Sequence, residues 1–221
     1  MKVNEIFRSL QGESSYAGLP CVFVRLTGCN LNCSYCDTDY ARTEGTEMNV
    51  AEVYEMVKAF AKSGDILEIT GGEPLLQVNE VNSLIKKIKS NIPYNTLGDI
   101  LIETNGSIDV ETLKKRHKYD IKVIMDWKCP TSNMSKKMLP SNLEKLSKND
   151  ELKFVIGNWK DYDEMKKIVG KYDLKCKVLA STIWDSIERS DVVERMLEDG
   201  IEARFQIQLH KLIWDKDKRG V

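Results

Sequence analysis

The sequence predicts an α/β fold, specifically a partial (βα) barrel of about six or seven mostly parallel strands. Short apolar, β-rich runs alternate with helical stripes along the whole 221-residue chain, the pattern of a parallel sheet with crossover helices. The runs number about seven, too few for a closed eight-stranded barrel, and the chain is short for one. The most unusual sequences stand directly after the runs, where parallel α/β folds gather their ligands.

The strands expected are about residues 21–27, 66–70, 100–104, 121–126, 152–156, 176–181 and 204–209. A helix opens at Asn49, with Glu52 three residues on in a capping-box arrangement, and closes near Gly64. Its expected core face is Val50, Val53, Met56, Val57 and Phe60. The next helix sets Val78, Val81, Leu84, Ile85 and Ile88 on one stripe, opposite Lys86, Lys87 and Lys89. Residues 132–149 read as the loosest stretch, and there is no internal repeat or linker. Five strand ends carry the candidate loops: Cys29 to Cys36, Gly71-Gly72-Glu73-Pro74, Glu103-Thr104-Asn105-Gly106, Asp126-Trp127-Lys128 and Gln208-Leu209-His210.

One domain is the simplest organisation at this length. Lys and Arg total 33 against 34 Asp and Glu, a formal net charge of -1. No overall basic field favours nucleic acid or an anionic membrane. The first twenty residues carry Lys2, Glu5, Arg8 and Glu13, and no segment reads as a signal or a bilayer span. A cytoplasmic location is expected, where six cysteines stay reduced and a tight triplet points to metal or catalysis.

That triplet is Cys29, Cys33 and Cys36, with spacing Cys-x-x-x-Cys-x-x-Cys after an apolar strand. It reads as an iron–sulfur ligand loop, in which three thiolates leave one iron of a [4Fe–4S] cluster open to a small molecule. Structural zinc is the competing reading; it needs a fourth ligand, and neither histidine lies close in sequence, although His210 could approach in the fold. Cys21, Cys129 and Cys176 stand alone and read as small core residues.

The spacing, with Tyr35 beside the last cysteine and Thr70-Gly71-Gly72-Glu73-Pro74 after the next strand, resembles the radical S-adenosylmethionine superfamily. The resemblance narrows at Asn4 to Ser14, Phe23 to Cys29, Cys36-Asp37-Thr38, Gln208 to Lys211 and the terminal Trp214 to Val221. These are similar to the 7-carboxy-7-deazaguanine synthase family over nearly the whole chain. That resemblance implies a lyase that converts 6-carboxy-5,6,7,8-tetrahydropterin to 7-carboxy-7-deazaguanine with ring contraction and loss of ammonia, in queuosine and 7-deazapurine biosynthesis. It implies a [4Fe–4S] cluster, S-adenosylmethionine (SAM) and Mg2+, and hydrogen abstraction by a 5′-deoxyadenosyl radical, so no side chain is expected to be catalytic.

By the same resemblance Tyr35, Cys36, Asp37, Gly72, Asp126, Trp127 and Lys128 contact SAM, and Thr38 holds Mg2+. Related chains often read Ser-Pro-Lys at 126–128, a departure that leaves Lys128 as the surviving residue. Leu10, Gln11, Gly12, Glu13, Arg25, Thr70, His210 and Val221 are implied for the pterin. The planar fork of Arg25 suits its carboxylate. Alternation alone leaves Arg25 on either face of its strand, and the resemblance favours the inner one. Glu103 reads as a ribose ligand or a structural acid. A short N-terminal substrate-binding segment, a C-terminal tail folded over the rim, a homodimer and an external one-electron reductant such as flavodoxin or ferredoxin complete the expectation. Two rivals remain at this point: an activase that installs a glycyl radical on a partner protein, and a non-catalytic zinc-binding module.

Overall fold

The computed structural model describes residues 1–113 and 118–221, built around a single nine-stranded sheet. The strands are β1 (Lys2–Leu10), β2 (Pro20–Leu26), β3 (Thr46–Glu47), β4 (Asp65–Gly71), β5 (Leu97–Thr104), β6 (Ile121–Trp127), β7 (Glu151–Ile156), β8 (Lys177–Thr182) and β9 (Arg204–Phe205). Their order is β3-β1-β2-β4-β5-β6-β7-β8-β9. From β2 to β9 every neighbour is parallel, and the sheet remains open between β3 and β9.

The seven expected strands are all present, and the sheet gains β1 and β3 at its N-terminal edge. Both are antiparallel, β1 against β2 and β3 against β1. The β1 sequence hides its strand because polar and apolar residues occur on both faces, with Glu5 beside Phe7 on one and Arg8 beside Ile6 on the other. The last strand is shorter than expected, two residues instead of six.

Parallel pairs need crossovers, supplied by α1 (Val50–Phe60), α2 (Val78–Asn91), α3 (Ser141–Lys145), α4 (Trp159–Lys171) and α5 (Arg189–Glu198). Asn49 and Glu52 form the expected reciprocal cap, and Asn158 with Asp161 repeats it on α4. In α1 the buried face is Val53, Tyr54 and Val57, while Met56 and Phe60 stay exposed, which corrects the broader face read from the sequence. The stripe of α2 buries Val81, Leu84, Ile85 and Ile88 as expected. Residues 132–149 are also better ordered than their composition suggests. They contain α3, and buried Asn142 ties this stretch to Gly106, Ile108 and Val110 by hydrogen bonds of 3.2, 2.8 and 3.2 Å.

The helices pack on one face of the sheet, where most of the apolar core lies. Opposite, the concave face carries a smaller floor of Cys21, Phe23, Ile66, Leu101 and Ile124, with Phe7 and Tyr16 against it. Above that floor the strand ends are pinned by Glu73, which is completely buried. Its carboxylate accepts hydrogen bonds from Leu75 N (2.9 Å), Thr104 Oγ1 (2.8 Å) and Asn105 N (2.7 Å), so one side chain joins the β4 and β5 loops. Truncating it to alanine strands three donors and should cost about 3 kcal/mol. For a chain of this size that is a fall of roughly 6–12 °C in Tm. Thermal denaturation of the protein without added cofactors measures it; an unchanged Tm would show that the buckle carries no stability.

Candidate active site

Alternation along the parallel strands aims one residue in two at the concave face. Arg25 follows Phe23 on β2, Glu68 and Thr70 follow Ile66 on β4, and Glu103 follows Leu101 on β5. Asp126 follows Ile124 on β6, and Lys153 and Val155 come from β7. Together with the loops beyond the strand ends they line one cavity of about 240 Å³.

Ionic contacts dominate its upper wall. The Lys153 ammonium, only 6% exposed, meets Glu103 Oε1 at 2.5 Å, Glu13 Oε2 at 2.8 Å and Asp126 Oδ2 at 3.5 Å. Asp126 Oδ2 also accepts from Lys128 Nζ at 2.9 Å. Gln208 donates to the other oxygen of Glu13 at 2.7 Å. Burial pushes the Glu13 carboxyl up, but Lys153 and Gln208 more than offset it and hold it down at about 2. The Glu13 ion pair therefore contributes stability in full above the ordinary carboxylate range, and this is lost as pH falls toward about 2. Glu68 behaves in the opposite way: burial, then the nearby Glu103 charge, push it well up, and it accepts a hydrogen bond from the Gln11 amide. Burial lowers His210, leaving a neutral imidazole at pH 7. Arg25 donates through Nε to Glu5 Oε1 at 2.8 Å, with its guanidinium 5.9 Å from the Phe7 ring centroid.

The cysteine loop is held from several directions. Gly28 N donates to Ala41 O at 2.8 Å, Ser34 Oγ to Thr131 O at 2.6 Å, and Asn105 Nδ2 to Asn30 Oδ1 at 3.1 Å. Cys29 Sγ receives N–H donors from Leu31 (3.4 Å) and Asn105 (3.7 Å). Such donors to sulfur tune an iron–sulfur cluster. The C-terminal segment closes another side. Leu209 N donates to Gly12 O at 2.9 Å and Lys211 Nζ to Asp37 Oδ2 at 3.0 Å, and terminal Val221 reaches the cavity wall.

Of the residues singled out in the sequence, Leu10, Gln11, Gly12, Glu13, Arg25, Cys29, Cys33, Tyr35, Cys36, Asp37, Thr38, Thr70, Gly72, Asp126, Lys128, His210 and Val221 all line this one cavity. Trp127 does not. Last residue of its strand, it points its side chain to the helix side, where it is buried in the main core, so that side chain does not join Asp126 and Lys128 on the wall. Trp214 is likewise absent from the wall. Cys21, Cys129 and Cys176 are buried. Sequence reasoning missed Glu68 and Lys153, although each is an ionisable residue flanked on both sides by apolar residues within its strand. It also missed Trp184, which joins the wall from beyond β8.

The thiol donors fit an iron–sulfur cluster. Three thiols face the cavity, and among the described residues no three His, Cys, Asp or Glu side chains are gathered into a finished metal cage. Nearby, Tyr35 Oη and Asp126 Oδ1 are buried without a hydrogen-bond partner among the described residues, which leaves two polar atoms of wall residues free for a polar ligand. The hydroxyl of Thr38 lies 3.9 Å from Cys36 Sγ.

A mostly parallel open sheet with three cysteines on the loop beyond an inner strand is the arrangement of a radical SAM protein, and residues 23–175 match the model of the Radical SAM superfamily. The 7-carboxy-7-deazaguanine synthase of Koribacter versatilis is 36% identical over 100% of both chains. That of Chlorobaculum tepidum is 37% identical over 100% of this chain and 97% of its own. The crystal structure of QueE from Escherichia coli superposes with a TM-score of 0.71 at 22% identity, covering 95% of this chain and 94% of that one. The chain belongs to the 7-carboxy-7-deazaguanine synthase family, and it is a radical SAM enzyme.

Gly12 tests how tightly this wall is built. A Cβ there would lie 2.1 Å from His210 Nδ1, so Gly12→Ala must displace the imidazole and strain the Gly12–Leu209 hydrogen bond. Turnover should fall at least about tenfold, since a misplacement of about 1 Å can cost a hundredfold. The melting temperature should change little. Steady-state kinetics beside thermal denaturation check this, and wild-type turnover would show that the wall is pliant.

Proposed function

We propose that this enzyme converts 6-carboxy-5,6,7,8-tetrahydropterin to 7-carboxy-7-deazaguanine, contracting the ring and releasing ammonia. The observation that carries the reading is a single cavity with the cysteine loop on one wall and buried ionisable groups suited to a carboxylated, nitrogen-rich ring on another. Full-length similarity to named synthases supports it.

When bound, the [4Fe–4S] cluster of Cys29, Cys33 and Cys36 with SAM supplies the one-electron chemistry that removes a substrate hydrogen. The side chains bind, orient and exclude water. Glu5 engages Arg25 through Nε, and Tyr40 Oη donates to the same Glu5 oxygen at 3.1 Å. That contact orients the guanidinium and leaves its terminal nitrogens to fork a substrate carboxylate. Glu13 and Glu103 accept from the amino and amide edge of the ring, and Gln11, Thr70 and neutral His210 supply further polar partners. Phe7 and Phe23, stacked with centroids 4.9 Å apart, give a flat ring an apolar wall. Tyr35, Gly72, Asp126 and Lys128 belong to the SAM side, where burial lowers Lys128 but Asp126 and its other neighbours raise it further, keeping it charged.

The Thr38 hydroxyl would hold Mg2+, a hard cation that takes oxygen donors and would neutralise charge on the substrate. A single domain, a homodimer, a cytoplasmic location, a flavodoxin- or ferredoxin-like reductant and no nucleic-acid partner are further parts of this reading. Near-neutral charge supports the last, and among the described residues no helix is long and apolar enough to cross a membrane.

Anaerobic reconstitution followed by assay of carboxytetrahydropterin tests the proposal. The expected result is brown cluster absorbance with conversion to 7-carboxy-7-deazaguanine; SAM cleavage with the pterin untouched would overturn it. Arg25→Ala should reduce kcat/KM for the pterin by at least about a hundredfold, as loss of a charged carboxylate partner implies, with cluster content preserved. Equal loss of both would make Arg25 structural. Thr38→Ala should weaken the Mg2+ dependence of the rate, and an unaltered Mg2+ titration would remove the metal assignment.

A further inference from the structure

Lys153 lies outside every motif that marks this site, yet it stands at its centre. It is the second inward residue of β7, and no residue between Glu151 and Ile156 except Glu151 shares its charge-bearing character. Its ammonium is in contact with carboxylates from three separate segments: Glu13 on the N-terminal segment, Glu103 at the end of β5 and Asp126 at the end of β6. Glu13 and Glu103 lie on the side of Gln11, Thr70 and His210, whereas Asp126 is shared with Lys128, which stands 5.9 Å from the Tyr35 ring near the cysteine loop. A buried ammonium with three carboxylate neighbours is an expensive arrangement in a low-dielectric interior, and it persists only where the charges hold one another.

We propose that Lys153 is a positioning residue that joins the two halves of the cavity, fixing Glu13 and Glu103 in place as acceptors for the N–H edge of the ring while tying them to Asp126 on the SAM side. This rests on the pterin reading above. Lys153 does not touch the reacting atoms; it acts through the carboxylates it holds. Three features of the geometry support the role. The ammonium has three hydrogens and three carboxylate neighbours, so its orientation is set by the protein. Glu13 is gripped on both oxygens, by Lys153 at 2.8 Å and Gln208 at 2.7 Å, and its backbone N–H donates to Gln11 Oε1 at 2.8 Å. Glu103 is gripped likewise, by Lys153 at 2.5 Å and by the Thr70 hydroxyl at 3.2 Å. Both acceptors are thus placed before any ligand arrives, which removes part of the ordering cost of binding.

Other charged groups near this cluster are Glu68 on β4, Asp37 on the cysteine loop and His210 on the C-terminal segment. Removing the Lys153 charge would leave Glu13, Glu103 and Asp126 facing one another with these neighbours, while the other cations of the wall are engaged elsewhere, Lys128 on Asp126, Arg25 on Glu5 and Lys211 on Asp37. Glu13, held low by Lys153, would then take up a proton at pH values where the wild-type carboxylate keeps its charge.

The test is the binding of 6-carboxypterin, the stable oxidised analogue, to anaerobically reconstituted enzyme with SAM, read by pterin fluorescence from pH 5.5 to 7.5. The wild type should bind with nearly constant affinity over this range. Lys153→Met, which keeps length and loses charge, should bind at least about tenfold more weakly, with a further loss as pH falls, since each unit by which an acceptor's pKa exceeds the pH costs about tenfold. Lys153→Arg, which keeps the charge, should restore a flat profile. A Lys153→Met protein that matches the wild type at every pH overturns the proposal. Failure of the wild type itself to bind 6-carboxypterin, with SAM cleavage intact, counts instead against the pterin reading. Should Lys153→Met not fold, carbon-13 titration of the wild-type Glu13 carboxyl, assigned with Glu13→Gln, gives the answer. Ionisation persisting below pH 3 supports the clamp, and titration in the ordinary range near pH 4–5 overturns it.

Discussion

The site depends on one close backbone contact, where the end of β4 passes the start of the cysteine loop. Gly72 N donates to Leu26 O at 3.0 Å and Glu73 N to Gly28 O at 2.7 Å. A Cβ on Gly72 would lie 2.1 Å from Gly28 O, and Gly71 adopts φ +142 with Leu26 O 2.2 Å from where its Cβ would be. Only glycine fits at both positions. The contact fixes the height and direction of Cys29 relative to the sheet, and buried Glu73 carries the same registration across to β5. Loop geometry that would otherwise vary is thereby referred to the rigid parallel strands.

On that frame the concave face is graded. Apolar residues fill its floor and charges crowd its rim, so the carboxylates and ammonium groups lie where water is scarce and electrostatic interactions are strong. The grading has a use. Groups placed and charged beforehand need not reorganise when a polar ligand arrives, and that preorganisation is the main electrostatic resource of enzyme sites. Its cost is borne by pairing: Glu5 with Arg25, Glu13 and Glu103 with Lys153, Asp126 with Lys128, and Asp37 with Lys211. Among the described residues Glu68 has no such cation in contact, and burial drives it toward the neutral acid.

How much of this was legible follows from whether a signal is local. The cysteine spacing, the Gly-Gly turn and the Asn49–Glu52 cap are short-range patterns, and each could be read from a few neighbouring residues. Lys153 and Glu68 required a different inference, that a charge set between apolar neighbours in the interior of a parallel strand faces away from the helix-covered side. The same rule turns Trp127 away from the site, since Asp126 and Lys128 on either side face in. In β1, no such rule applies, because a strand next to the sheet edge with mixed faces lacks the alternation that betrays a half-buried one. Trp184 follows a strand whose end carries no unusual motif, and only the folded chain brings it to the wall.

The C-terminal segment shows how ends distant in sequence become one wall. Its outermost ion pair, Arg219 with Glu44 at 2.9 Å, is more than half exposed on both sides; such pairs contribute about 0–1 kcal/mol and cannot alone set its path. The Arg219 guanidinium also lies 3.6 Å from the centroid of Tyr40, a cation–π contact less weakened by water. Tyr40 in turn donates to Glu5, the carboxylate that orients Arg25. At the inner end, Leu209 binds the Gly12 backbone and Gln208 binds Glu13. The segment is therefore fastened at both ends to residues that themselves hold Arg25 and Glu13, so its placement and the shape of the polar wall are one structural variable and not two.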